Sequence, residues 1–207
     1  MLSSATLNTI AEQLHTAGWC AVDDALPKLA AHRLAAHAIA LPDAVLHRAG
    51  VGRAAQRQTL DTLRRDTIVW LEPNNPADAP DQLWLGAMAQ LQAHLNQHLF
   101  LGLKAYEAHY ARYATGAFYG RHVDAFKGQS NRFISTVYYL NADWPSDANC
   151  GGELLLYGGL EPKQHPTHIA PMMGRLVVFL SEGTAHEVLP ALRTRHSIAG
   201  WFRRGSS

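Results

Sequence analysis

Arg175-Leu176-Val177-Val178-Phe179-Leu180 is the clearest strand in this chain of 207 residues, five apolar residues in a row with two valines at their centre, followed by a turn containing Gly183. It is one of eight short β-like runs that fill the half after Gly102, at 105–113, 117–124, 132–141, 152–157, 166–170, 174–180, 185–189 and 195–203. Gly, Pro, Asn and Asp punctuate them. Strands of this length, closely spaced and without helices between them, predict an antiparallel sandwich or barrel of the jelly-roll kind.

The half before Gly102 reads differently. Residues 4–17 and 26–41 are rich in Ala and Leu, and Leu26, Ala30, Leu34, Ala38 and Leu41 recur at helical intervals. A third helix is expected from about 79 to 100, with Trp84, Met88, Leu91, Leu95 and Leu99 on one face. Between the helices, Thr67-Ile68-Val69-Trp70-Leu71 has the character of a strand, and the stretch from Pro42 to about Arg65 has no period and is expected as a long loop. The fold class is therefore α+β, mainly β: one domain with helical support over about 1–100 and a jelly-roll core over about 103–204.

Composition narrows the functional classes. Hydrophobic residues at 47% and charged residues at 17% describe a chain that folds, and a net charge of +1 gives no field for a polyphosphate partner. No nucleic acid is expected. The start carries neither a basic nor an apolar leader region, and no run approaches the roughly 18 apolar residues of a membrane span, so a cytoplasmic location with no membrane association is expected. Cys20 and Cys150 are far apart, without a paired motif, and read as free thiols.

His122-Val123-Asp124 is the first chemical clue, because residues two apart on a strand share a face and can hold one ion together. Alone it is weak: 12 His and 17 acidic residues would give about one such triplet by chance. A second histidine, His186, follows the strong strand and its turn. Two imidazoles and one carboxylate on one face of an octahedron leave three positions open, the arrangement of non-haem iron(II) oxygenases. His94 and His98, one helical turn apart, lack the acidic context of a metalloprotease helix; His165 and His168 flank Pro166; and His109 suits a buried position without a metal.

Arg195 opens a strand that reads Arg195-His196-Ser197-Ile198-Ala199-Gly200-Trp201-Phe202. Alternation sets Arg195, Ser197, Ala199 and Trp201 on one face and His196, Ile198 and Phe202 on the other. A guanidinium grips a carboxylate through two parallel hydrogen bonds, so Arg195 suits the distal carboxylate of 2-oxoglutarate, with the small Ser197 leaving room. Arg193 shares this parity, and spacing alone does not separate the two.

His122-Val123-Asp124, Tyr138-Tyr139-Leu140-Asn141-Ala142-Asp143-Trp144, Gly151-Gly152-Glu153-Leu154 and His186-Glu187-Val188-Leu189-Pro190 with Thr194-Arg195 together resemble the oxygen-sensing prolyl hydroxylases that modify hypoxia-inducible factor. Asp66 to Glu72 resembles the strand before that family's central helix, and the likeness covers about 60–204. It implies a double-stranded β-helix, iron(II), 2-oxoglutarate and dioxygen, ascorbate as reductant in vitro, and prolyl 4-hydroxylation of a protein with release of succinate and carbon dioxide. It further implies that Tyr139 joins Arg195 on 2-oxoglutarate, that Tyr113 bonds near its iron-binding end, that Leu154 lines the pocket, and that Arg132 and Trp201 meet the substrate proline's surroundings. The chain departs from the pattern in a shorter Tyr113–Tyr119 spacing, a longer Asp124–Arg132 loop and Glu153 in place of an aliphatic residue. Its short length resembles the family's bacterial branch, which is associated with a proline of elongation factor Tu.

The same resemblance implies that the loop bearing Arg48, Arg53, Arg57, Arg64 and Arg65 grips the substrate as a lid. Two rival readings differ in class: hydroxylation of a free amino acid or other small molecule on the same scaffold, and a cupin-like metal-binding or interaction module without turnover. Cupins usually carry His-x-His where this chain has His122-Val123-Asp124, and a mere binder has no need of Arg195.

Overall fold

Three helices are held on one side of a large sheet by the faces the sequence marks as apolar. In the computed structural model, which describes residues 1–49, 62–76, 79–125, 131–145, 150–160 and 165–205, α1 spans Ser4–Ala17, α2 Lys28–Ala40 and α3 Pro80–Leu99. α1 is capped at both ends: Ser3 Oγ accepts from the Thr6 N–H at 3.0 Å, and Gly18, at φ 77°, closes the last turn by donating to the Leu14 carbonyl. α2 begins two residues later than its periodicity suggests, since Pro27 occupies the cap position and Leu26 is buried ahead of it.

The strands, in chain order, are β1 (Trp19–Val22), β2 (His47–Arg48), β3 (Thr67–Trp70), β4 (Leu103–Tyr113), β5 (Tyr119–His122), β6 (Arg132–Tyr139), β7 (Leu154–Leu156), β8 (Thr167–Ile169), β9 (Leu176–Leu180), β10 (His186–Val188) and β11 (Arg195–Arg204). They form an antiparallel seven-stranded sheet in the order β1-β9-β6-β11-β4-β3-β2 and a four-stranded sheet in the order β5-β10-β7-β8. All eight runs expected after Gly102 are strands, and the architecture is the expected mainly-β jelly roll.

Alternation divides the large sheet between two cores. Ile134, Tyr138, Leu176, Val178, Ile198 and Phe202 point to the helices, where they meet Trp84, Met88, Leu91 and Leu95 of α3. Tyr113, Tyr139, Val177 and Phe179 point the other way and pack with Leu154, Leu156, Ile169 and Val188 of the small sheet. The space between the sheets is the jelly-roll interior.

Two strands escape the sequence reading. β1 is a four-residue edge strand that exists because it pairs with β9, and β2 is two residues paired with Ile68 and Thr67, inside the stretch expected as loop. A 3₁₀ turn at Asp43–Val45 precedes β2. Pairings this short are tertiary contacts without a periodicity of their own. Arg53 and Arg57 of the expected lid lie outside the described residues.

Trp84 is fully buried against Tyr138, with ring centroids 5.0 Å apart, and its indole N–H donates to Tyr106 Oη at 3.2 Å. Truncation would leave a cavity and remove one of the two hydrogen bonds of Tyr106 Oη, which keeps Thr136 Oγ1 at 2.8 Å. Trp84→Ala is expected to lower unfolding stability by about 3–5 kcal/mol, read from urea unfolding of the metal-free protein.

Candidate active site

The small sheet brings two histidines face to face. β5 and β10 pair antiparallel with His122 opposite His186, and their imidazole centroids lie 4.2 Å apart. Each ring is fixed through Nδ1 to a carbonyl two residues back, His122 to Gly120 at 2.8 Å and His186 to Thr184 at 3.0 Å. A carbonyl only accepts, so each Nδ1 carries the proton and each Nε2 presents its lone pair.

Asp124 completes the group, with Oδ1 3.7 Å from His122 Nε2 and Oδ2 3.6 Å from His186 Nε2. These distances are too long for good hydrogen bonds, and the three ligand atoms all lie within 4.8 Å of one another. Among the described residues this is the one group of three or more His, Cys, Asp or Glu that could hold a metal ion. Burial and the neighbouring His186 push the His122 pKa down to about 4, which keeps its ring neutral and able to ligate. Burial alone would raise the Asp124 pKa. His186, His122 and a 2.7 Å hydrogen bond from Ser135 Oγ outweigh it and keep the carboxylate ionised. Ser135 is itself fixed by Ser181 at 2.8 Å.

Arg195 lies in the same interior, 1% exposed. Its Nε donates to the Gly152 carbonyl at 2.9 Å, one Nη donates to Ser197 Oγ at 3.1 Å, and the guanidinium lies 4.7 Å from the Tyr113 ring centre and 5.0 Å from that of Tyr139. Gly152 is required here: it has φ 70°, and a Cβ would stand 3.1 Å from Arg195 Cδ. Among the described residues no acidic side chain pairs with this buried cation, and the buried Tyr139 Oη beside it has no hydrogen-bond partner. A carboxylate entering here would meet both a charge and a donor. Leu154 packs in the same core as Tyr113 and Tyr139. Arg193 is exposed and bonds the Asp143 carbonyl, which resolves the parity ambiguity in favour of Arg195 as the interior arginine.

At the other end of the interior, Arg132 stacks over the Trp201 ring at 3.7 Å and is held by Glu107, which also takes Arg203. The Trp201 indole N–H is buried without a partner in hydrogen-bonding geometry, yet it is near enough to Asp124 to help keep that carboxylate charged. Elsewhere, His94 and His98 stack on each other on α3, and His165 and His168 are exposed. No sequence motif singles out Ser135, Ser181 or Glu107. Ser135 shares the parity of Tyr139 along β6, and that signal could have placed it inside.

Residues 108–203 match the family model described as the 2OG-Fe(II) oxygenase superfamily. The chain is 32% identical over 191 residues to Egl nine homolog 1 of Homo sapiens, an alignment covering 89% of this chain and 43% of that protein. It spans about half the length of the curated Egl nine relatives it matches. Its fold superposes on a crystal structure of a Pseudomonas putida prolyl-4-hydroxylase with a TM-score of 0.83 and 39% identity, covering 97% of this chain and 100% of that one. A prolyl hydroxylase of Trichoplax adhaerens, in complex with a hypoxia-inducible factor oxygen degradation domain peptide fragment, matches with a TM-score of 0.84 and 25% identity, covering 96% of this chain and 89% of that one.

His109 is buried between Trp70 and Trp201. Burial, with help from the cations of Arg64 and Arg132 and against the pull of Asp66, lowers its pKa from 6.5 to about 4. Between those values the unfolded chain binds a proton that the fold excludes, so this part of the stability is present above pH 6.5 and is lost as pH falls towards 4. Urea unfolding of the metal-free protein across this window should show stability rising with pH. His109→Met should reduce the slope by up to about one proton; an unchanged slope would refute the assignment.

Proposed function

Because the chain belongs to the 2OG-Fe(II) oxygenase superfamily, we propose that it is a 2-oxoglutarate- and dioxygen-dependent dioxygenase that hydroxylates a prolyl residue of a protein substrate at the 4-position. The observation that carries the reading is the convergence of His122, Asp124 and His186 in the interior that also buries an acid-free Arg195. His122, Asp124 and His186 would hold iron(II), since their lone pairs face one another and their other polar atoms are engaged by backbone and Ser135. Iron(II), when bound with 2-oxoglutarate, supplies the activation of dioxygen that splits the keto acid to succinate and carbon dioxide and delivers one oxygen atom to the substrate.

The chain's own residues do the rest. Arg195, set by Gly152 and Ser197, takes the distal carboxylate of 2-oxoglutarate with the Tyr139 hydroxyl as a second donor, while Tyr113 and Leu154 wall the co-substrate. Apolar residues of both sheets exclude water from this end. Arg132 and Trp201 form the surface against which the substrate proline and its neighbours lie, with the flat indole packing the ring. The similarity to a bacterial prolyl-4-hydroxylase over 97% of this chain and 100% of that one supports a bacterial-type target, and elongation factor Tu is the protein we propose.

His122→Ala, Asp124→Ala and His186→Ala are each expected to abolish substrate-coupled succinate formation, and undiminished turnover would exclude the triad. Arg195→Met should raise the KM for 2-oxoglutarate by roughly 100-fold, the loss of a charge-assisted pair of bonds, with a far smaller effect on the KM for protein. Incubating the enzyme with iron(II), 2-oxoglutarate, ascorbate and elongation factor Tu should add the mass of one oxygen atom to a prolyl residue. A lysate in which other proteins gain that mass and elongation factor Tu does not would reject this target while leaving the chemistry in place.

A further inference from the structure

The segment before β3 is tied to the strand that carries His122. Arg65 N–H donates to the Phe118 carbonyl at 3.0 Å, Gly120 N–H donates to the Leu63 carbonyl at 2.7 Å, and Arg64 and Tyr119 form an isolated antiparallel bridge. Side chains repeat the connection. Arg64 makes two hydrogen bonds to Asp66, Nε to Oδ1 at 2.8 Å and Nη2 to Oδ2 at 2.6 Å, and its guanidinium lies 4.2 Å over the Tyr119 ring. The Tyr119 ring in turn stacks on His122, with centroids 3.5 Å apart and planes within 11°.

The Arg64 and Asp66 side chains are only 10% and 0% exposed. A buried ion pair contributes little over apolar residues of the same volume, but its bidentate geometry is strict. Its place at the end of a stack explains what that strictness does. The Nδ1 bond to Gly120 fixes the direction in which the His122 ring points, and the Tyr119 ring fixes its plane. Gly120 is itself held by Leu63.

We propose that Arg64, clamped by Asp66, is a positioning residue for the iron centre, acting through Tyr119 to hold the His122 imidazole in its ligating plane. This rests on the reading of His122 as an iron ligand. Removing such an outer partner costs about 10–100-fold in metal affinity.

The test is an anaerobic iron(II) titration in excess 2-oxoglutarate, followed by the visible charge-transfer absorption of the complex. It compares wild type with Tyr119→Phe, Tyr119→Leu, His122→Ala and the double variant Arg64→Met/Asp66→Leu, which leaves no buried charge unpaired. The double variant and Tyr119→Leu should bind iron about 10–100-fold more weakly and shift the band, whereas Tyr119→Phe, which keeps the ring, should match wild type. Wild-type affinity and band in Tyr119→Leu or in a folded double variant would overturn the proposal. If the double variant does not fold, Tyr119→Leu decides alone. A band retained by His122→Ala would instead sink the iron-ligand reading on which the proposal stands.

Discussion

β11 has two faces and neither is free to change. It runs through the large sheet between β6 and β4, with Ser197 opposite Tyr139 and Arg195 opposite Tyr113. One set of its side chains, Ile198 and Phe202, is fully buried under the helices. The other set, Arg195, Ser197 and Trp201, faces the interior where the chemistry is proposed. A slip of one residue would put the guanidinium into the apolar layer and two large hydrophobic side chains into the polar pocket, so helix packing and co-substrate register are one constraint.

That constraint lets the interior carry polar groups that would otherwise destabilise it. Asp124 is stabilised by two imidazoles and a serine, and Asp66 by a bidentate arginine. Arg195 has only neutral acceptors, and Tyr139 Oη and Trp201 Nε1 lack a partner in hydrogen-bonding geometry. Buried polar groups in folded proteins are nearly always satisfied, so these two, unlike the buried Tyr138 Oη on the helix side, suit contact with ligand atoms at the site we propose. They lie at two ends of the interior, one beside Arg195 and the other beside Arg132.

The second half of the chain was legible because period-two alternation and turn residues set each strand apart, and the three helices were legible from their apolar stripes. The likeness of four sequence blocks to a family gave the candidate residues their expected roles, and the structure brings His122, Asp124 and His186 into one group and places Arg195 inside. What escaped was non-local. β1 and β2 are too short to show a pattern, Ser135 and Ser181 are unremarkable strand and turn residues until they meet beside Asp124, and nothing in Arg64-Arg65-Asp66 signals that its third residue clamps its first over an aromatic ring. Such features depend on which elements become neighbours in space.

The imidazoles are held by backbone carbonyls two residues back, Gly120 within β5 for one ring and Thr184 just ahead of β10 for the other. The gap between their free nitrogens is therefore a property of the β5–β10 ladder and not of flexible side chains. Were an ion held here, fitting a larger one by swinging a ring would mean breaking an Nδ1–carbonyl hydrogen bond. Discrimination by size would reside in backbone pairing, and softening that ladder would erode selectivity before it eroded the fold.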